Sequence, residues 1–97
     1  MVLNTLNNYL AGKSKKFPSD FNKIINHINF DIQNQDFHID LLWKAYNVGL
    51  DAHKGQLRRS GKPYFSHCIE VACILAKWKM DIDTIVAGLL HDTIEDT

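Results

Sequence analysis

His91 and Asp92 stand side by side at the end of an apolar helical run, Ile85, Val86, Leu89 and Leu90. Imidazole nitrogen and carboxylate oxygen both ligate divalent transition metals. Neighbours on a helix point about 100° apart, so the two share one ion only where it sits in a cleft between helices. A third ligand must then come from elsewhere. His67, near the start of the preceding helix, is the leading candidate, because a short connection makes consecutive helices antiparallel neighbours. An HD dipeptide standing alone reads better as two isolated surface or core residues. Glu95 and Asp96 form a second acidic pair, one helical turn beyond His91 and Asp92. Ionisable groups this dense, directly after Leu89 and Leu90, are costly to bury without a metal or a partner. The alternative is a polar helix end in water.

Arg58, Arg59 and Ser60 precede Gly61 and Pro63 on a glycine-containing loop. Guanidinium forks and a hydroxyl match phosphate oxygens, although a basic turn by itself is usually just solvated. His53 reads as a histidine at a helix C-terminus, stabilised by the dipole, rather than as a ligand. His38 and His27 read as exposed. Trp43, Tyr46 and Trp78 read as core residues.

Four helices are predicted to carry these groups. The first starts at a Ser19 cap and buries Phe21, Ile24, Ile25 and Ile28. Asp31 to Asp36 is a polar connection. The second helix covers about Ile39 to His53, with Asp40 near its positive end and Leu42, Ala45, Tyr46, Gly49 and Leu50 on its apolar face. Lys54 to Pro63 is a loop, and Pro63 suits the start of a third helix. That helix covers about Tyr64 to Lys79, with Val71, Ala72, Leu75, Ala76 and Trp78 inward. A break at Lys79 to Asp81 precedes the fourth helix, capped by Asp81 or Asp83. No alternating polar and apolar stretch persists, so the predicted class is all-α.

The 97 residues limit the chain to one domain, and 45% hydrophobic content suffices for a core. Eleven basic residues balance 11 acidic ones, which offers no general attraction to nucleic acid or anionic lipid. Anion recognition must therefore be local. Lys13 to Lys16 reads as a solvated linker. No run is long and apolar enough for a membrane span, and Met1 to Gly12, with neither a basic leader nor a long apolar run, reads as a poor secretion signal. Cys68 and Cys73 would point about 140° apart on one helix, so no bridge is expected. A reduced, cytoplasmic protein is the simplest reading.

Taken in order, Ala52 to Gln56 (AHKGQ), Arg58 to His67 (RRSGKPYFSH), Ile69 to Ala76 (IEVACILA) and Ala87 to Thr97 (AGLLHDTIEDT) resemble the hydrolase domain of the RelA/SpoT family. They are also similar to the small stand-alone alarmone hydrolases. The resemblance covers Ala45 to Thr97. It implies an all-α HD-superfamily domain that binds Mn²⁺ and removes the 3′-pyrophosphate of (p)ppGpp, leaving GDP or GTP. By the same resemblance His67, His91 and Asp92 correspond to metal ligands. Glu95 and Asp96 correspond to the catalytic pair that orients or activates the attacking water. Arg58, Arg59 and Ser60 correspond to the nucleotide-contacting segment, supported by Tyr64.

The chain departs from the family in three respects. Cys68 follows the first ligand where the family commonly has proline, and Arg58–Arg59 stands where it often has Arg–Lys. No residue matches the family's further metal ligand, an Asp on a later helix. The expected organisation is an N-terminal extension with one helix over 1–35 and a partial hydrolase domain over 36–97, stopping after the HD and ED motifs. Full activity of this chain alone is then not expected. The alternatives are a non-catalytic alarmone-binding module and an inactive split-gene remnant. A downstream split-gene fragment supplying the missing helices is the expected protein partner.

Overall fold

The computed structural model describes residues 17–31 and 33–95, with the backbone alone at 94 and 95. The helices are α1 (Ser19–Ile25), α2 (Gln35–Ala52), α3 (Phe65–Lys77) and α4 (Ile82–Glu95). Among the described residues there is no strand, only an isolated bridge between Leu57 and Pro63. The class is all-α, as the periodicity implied. None of these helices is long and apolar enough to cross a membrane.

The packing unit that positions the chemistry is the α3–α4 hairpin. Cys68, Ala72 and Ala76 recur every fourth residue on α3 and are buried, facing the fully buried Ile85 and Leu89 of α4. Small side chains on one helix let the other approach closely. Complete burial of Ile85 or Leu89 is worth roughly 1.5–3 kcal/mol each. The turn between the helices is a Schellman motif: Met80 N donates to Leu75 O at 3.1 Å and Lys79 N to Ala76 O at 3.0 Å. Lys79 takes the left-handed position, at φ 61°. Its ammonium donates to His27 O at 3.0 Å, tying the turn to the end of α1. Asp81, not Asp83, caps α4, accepting from Thr84 N at 2.8 Å. That hydrogen bonding holds its carboxyl below the ordinary range.

α2 lies against α4, and α1 packs chiefly on α3. Phe21, Ile24 and Ile25 of α1 enter the same core as α2 to α4, with Ile28 and Phe30 following. Phe17, Phe21, Trp43, Tyr46 and Phe65 form a run of ring contacts with centroids 4.8–5.4 Å apart. Tyr46 donates to Asp20 Oδ1 at 2.9 Å. Gly49 marks the tightest crossing. A Cβ there would lie 2.5 Å from Phe65 Cε1 and 3.3 Å from the carbonyl oxygen of Leu89.

Several local expectations are corrected. Ser19 is the first helical residue; Pro18 holds the cap position and no side chain caps α1. α2 begins at Gln35, because Asp31 organises the preceding turn by accepting from Gln33 N and Asn34 Nδ2. Asp36, not Asp40, is therefore the acidic residue of its first turn. Leu50 is 45% exposed and Trp78 68% exposed. Leu50 falls beyond the buried arc of Leu42, Tyr46 and Gly49, and Trp78 sits at the C-cap, where α3 has already left the core. Pro63 lies in the loop's bridge rather than in α3. Both cysteines are free, as expected. The Lys13–Lys16 stretch lies outside the described residues.

Two predictions follow from this packing. Gly49→Val should destabilise the fold by about 1–3 kcal/mol through overpacking; an unchanged urea midpoint would contradict the close crossing. Burial, reinforced by the Asp92 charge, pushes the Cys68 thiol from 9.0 up to about 11. Burial and the bond to Asp20 push Tyr46 from 10.0 up to about 12. Both groups bind their protons more tightly when folded, so their contribution is complete below pH 9. It is lost as pH rises from about 9 to 12. Stability measured across that range should fall steadily, and a flat profile would contradict the burial of both groups.

Candidate metal centre

The hairpin brings the start of α3 beside the last turns of α4. One donor atom each from His67, His91 and Asp92 lie within 4.8 Å of one another. The His67 and His91 rings are 5.8 Å apart, edge to face. All three residues are half-buried, on one side of the molecule, and the Asp92 side chain is 16% exposed. Donors around an ion at about 2.0–2.2 Å lie roughly 3–3.5 Å from one another. Small side-chain rotations close the difference.

Hydrogen bonding makes this cluster fit a cation. His91 Nδ1 lies 2.7 Å from the carbonyl oxygen of Gly88, which can only accept. Nδ1 therefore carries a proton, and in the neutral ring Nε2 presents a lone pair. That Nε2 lies 3.2 Å from Asp92 Oδ2, also an acceptor. Two lone pairs at this distance repel unless a positive charge is shared between them, either a proton on Nε2 or a metal ion. Two imidazoles and a carboxylate suit a divalent transition metal. The bond from Nδ1 to Gly88 is the kind of contact that orients a ligating histidine. Tyr64 OH donates to Asp92 Oδ2 at 2.5 Å and so fixes the carboxylate from the α3 side.

The basic loop leads directly into this site. Tyr64 N donates to Gln56 O and Arg58 N to Lys62 O, both at 2.8 Å. Gly55 and Gly61 take φ 81° and 87°, which allows the chain to reverse. Arg58 is half-buried and its guanidinium lies 3.8 Å from the Glu70 carboxylate. Arg59 and Ser60 are exposed at the tip. The side chain of Glu95 and all of Asp96 lie outside the described residues.

His53 stands at a helix C-terminus, as its place in the sequence implied, and is buried there. It is 4% exposed and sits at the C-cap of α2, outside the His67–His91–Asp92 cluster. Its burial had a legible signal. Leu42, Tyr46, Gly49 and His53 form a continuous stripe at helical spacing, so His53 prolongs the inward face. Tyr64 likewise stands one turn before His67, on the same face. His27 and His38 are half-buried rather than exposed.

A family model described as an HD domain matches residues 45–97. The chain belongs to the HD-domain family. Its relatives include the bifunctional (p)ppGpp synthase/hydrolase SpoT of Escherichia coli (strain K12), 58% identical over 59 residues. A GTP pyrophosphokinase of Myxococcus xanthus is 55% identical over 62 residues. The guanosine-3′,5′-bis(diphosphate) 3′-pyrophosphohydrolase of Vibrio cholerae is 52% identical over 58 residues. The alignments cover 61%, 64% and 60% of this chain respectively, and 8% of each relative.

The tautomer of His91 is open to direct measurement. Long-range ¹H–¹⁵N spectra of the metal-free protein should show His91 Nδ1 carrying a proton. A proton on Nε2 with Nδ1 bare would contradict the bond to Gly88 and the ligand geometry built on it.

Proposed function

We propose that this chain carries the metal-binding and phosphate-binding part of a metal-dependent (p)ppGpp 3′-pyrophosphohydrolase. The observation that carries this reading is the convergence of one donor atom each from His67, His91 and Asp92 within 4.8 Å of one another, with His91 Nε2 3.2 Å from Asp92 Oδ2. The substrate class follows the names of the relatives. His67, His91 and Asp92 hold one divalent ion, which we take to be Mn²⁺. A bound ion would supply Lewis-acid polarisation of a phosphoryl oxygen and a more acidic water.

The other steps belong to the chain's own side chains. Tyr64 holds the Asp92 carboxylate in place. Arg58, Arg59 and Ser60 receive phosphate oxygens and offset their charge; Arg58 leaves Glu70 to do so, at little cost because that pair is wide and solvated. Glu95 and Asp96 orient the attacking water and accept its proton. Residues 36–97 are on this reading part of the hydrolase domain. The free cysteines suit a reducing compartment such as the cytoplasm.

Three protein donors and an exposed Arg59–Ser60 tip hold the nucleotide from one side. Positioning of the phosphate against the ion is then incomplete, and turnover by these 97 residues alone is expected to be low. A second reading, a non-catalytic alarmone-binding module, is favoured by the same exposed tip. A (p)ppGpp assay with Mn²⁺ separates the two. The hydrolase reading expects slow pyrophosphate release that His91→Ala and Asp92→Ala both abolish. Nucleotide binding without any metal-dependent release would favour the binding module.

The loop generates its own prediction. Arg58→Ala and Arg59→Ala should each weaken ppGpp binding by about 1.5–3 kcal/mol, the value of one charge-assisted contact. Calorimetric titration giving wild-type affinity for the double variant would remove this loop from phosphate recognition.

A further inference from the structure

His53 is buried and has no part in the steps above, yet both of its ring nitrogens are engaged. Nδ1 lies 2.8 Å from Gln56 Oε1 and Nε2 lies 3.2 Å from Thr93 Oγ1. Donation from Nδ1 to the amide oxygen leaves Nε2 to accept from the Thr93 hydroxyl. Its ring packs against Tyr64, with centroids 5.0 Å apart and planes at 33°. Gln56, which receives the Nδ1 proton, also receives the Tyr64 backbone N–H on its carbonyl at 2.8 Å.

These contacts close on themselves. Tyr64 donates to the Asp92 carboxylate, Asp92 is covalently joined to Thr93, and Thr93 returns to His53. We propose that His53 is a positioning residue that closes this ring and thereby fixes the Asp92 carboxylate toward His67 and His91. The ring joins four segments: the end of α2 through His53, the basic loop through Gln56, the start of α3 through Tyr64, and the last turns of α4 through Asp92 and Thr93. An open chain of hydrogen bonds lets each side chain relax independently. A closed ring does not, so breaking any link frees the carboxylate and makes further breaks cheap. Because the loop is one of these segments, the ring also couples the placement of Arg58 and Arg59 to His67, His91 and Asp92.

The inference rests on the metal-site reading, and its test separates the two. Removing His53 empties a buried site and risks unfolding, so the hydroxyls at its far side are removed instead. Thr93→Val is isosteric, Thr93→Ser retains the hydroxyl, and Tyr64→Phe removes the donor to Asp92. Each variant and the Thr93→Val/Tyr64→Phe double variant are measured twice, by urea unfolding without metal and by calorimetric titration with Mn²⁺.

Without metal, the loss in the unfolding constant of the double variant should fall short of the product of the single losses by about threefold or more. With metal, Thr93→Val and Tyr64→Phe should each weaken Mn²⁺ binding about 10–100-fold. The double variant should be little worse than either, and Thr93→Ser should bind within about threefold of wild type. Losses that simply multiply would overturn the ring. So would wild-type Mn²⁺ affinity in Thr93→Val, or equal weakening in Thr93→Ser and Thr93→Val. Failure of the wild-type chain to bind Mn²⁺ would instead remove the metal-site reading, and the metal-free cycle would still decide whether the ring exists.

Discussion

The close antiparallel packing of α3 and α4 is the constraint on which the rest depends. His91 and Asp92 are helical neighbours whose side chains diverge by about 100°. They address one point with His67 only if the start of α3 lies within a few ångströms of the last turns of α4. The small stripe Cys68, Ala72 and Ala76 provides that approach, and Ile85 and Leu89 fill it. Gly88 serves the same end: a Cβ there would lie 2.7 Å from Leu75 Cδ1. Its carbonyl meanwhile sets the tautomer of His91 one turn later. One residue thus permits the approach and orients the His91 ring.

Several polar side chains reach this interior with a partner. Tyr46 bonds Asp20, Tyr64 bonds Asp92, and His53 bonds Gln56 and Thr93. Each such bond contributes modestly, but an orphaned partner at these depths would cost about 1–3 kcal/mol. The face of His91 Nε2 toward Asp92 differs: ring nitrogen and carboxylate oxygen stand 3.2 Å apart, with Nδ1 committed to the Gly88 carbonyl. That arrangement suits a cation shared between the two groups. The aromatic run from Phe17 through Phe21, Tyr46 and Phe65 then continues through His53 and Tyr64 to His67. The core and the polar cluster are therefore one packed body.

Much of this was legible in the sequence, because period-3.6 patterning and one-turn spacing act locally. The helix at Phe21–Ile25, the inward face of α2 and the break at Lys79 all follow from it. Convergence of His67 with His91 was legible because the short break at Lys79 to Asp81 leaves antiparallel packing as the simple arrangement. What escaped was set by tertiary contact. Leu50 and Trp78 are apolar by type, but their exposure depends on where neighbouring helices end. The Ser19 cap failed because Pro18, with its fixed φ, already occupies the position before the helix. The links from His53 to Thr93 and from Tyr64 to Asp92 span 40 and 28 positions, and nothing in local spacing announces either.

His67, His91 and Asp92 are proposed to hold one divalent ion together. Anomalous diffraction from crystals grown with Mn²⁺ tests this proposal most directly. The account predicts one strong peak about 2.0–2.2 Å from His91 Nε2, from an imidazole nitrogen of His67 and from a carboxylate oxygen of Asp92. No peak at this site, or a peak bonded to other residues and unchanged in Asp92→Ala crystals, would contradict it.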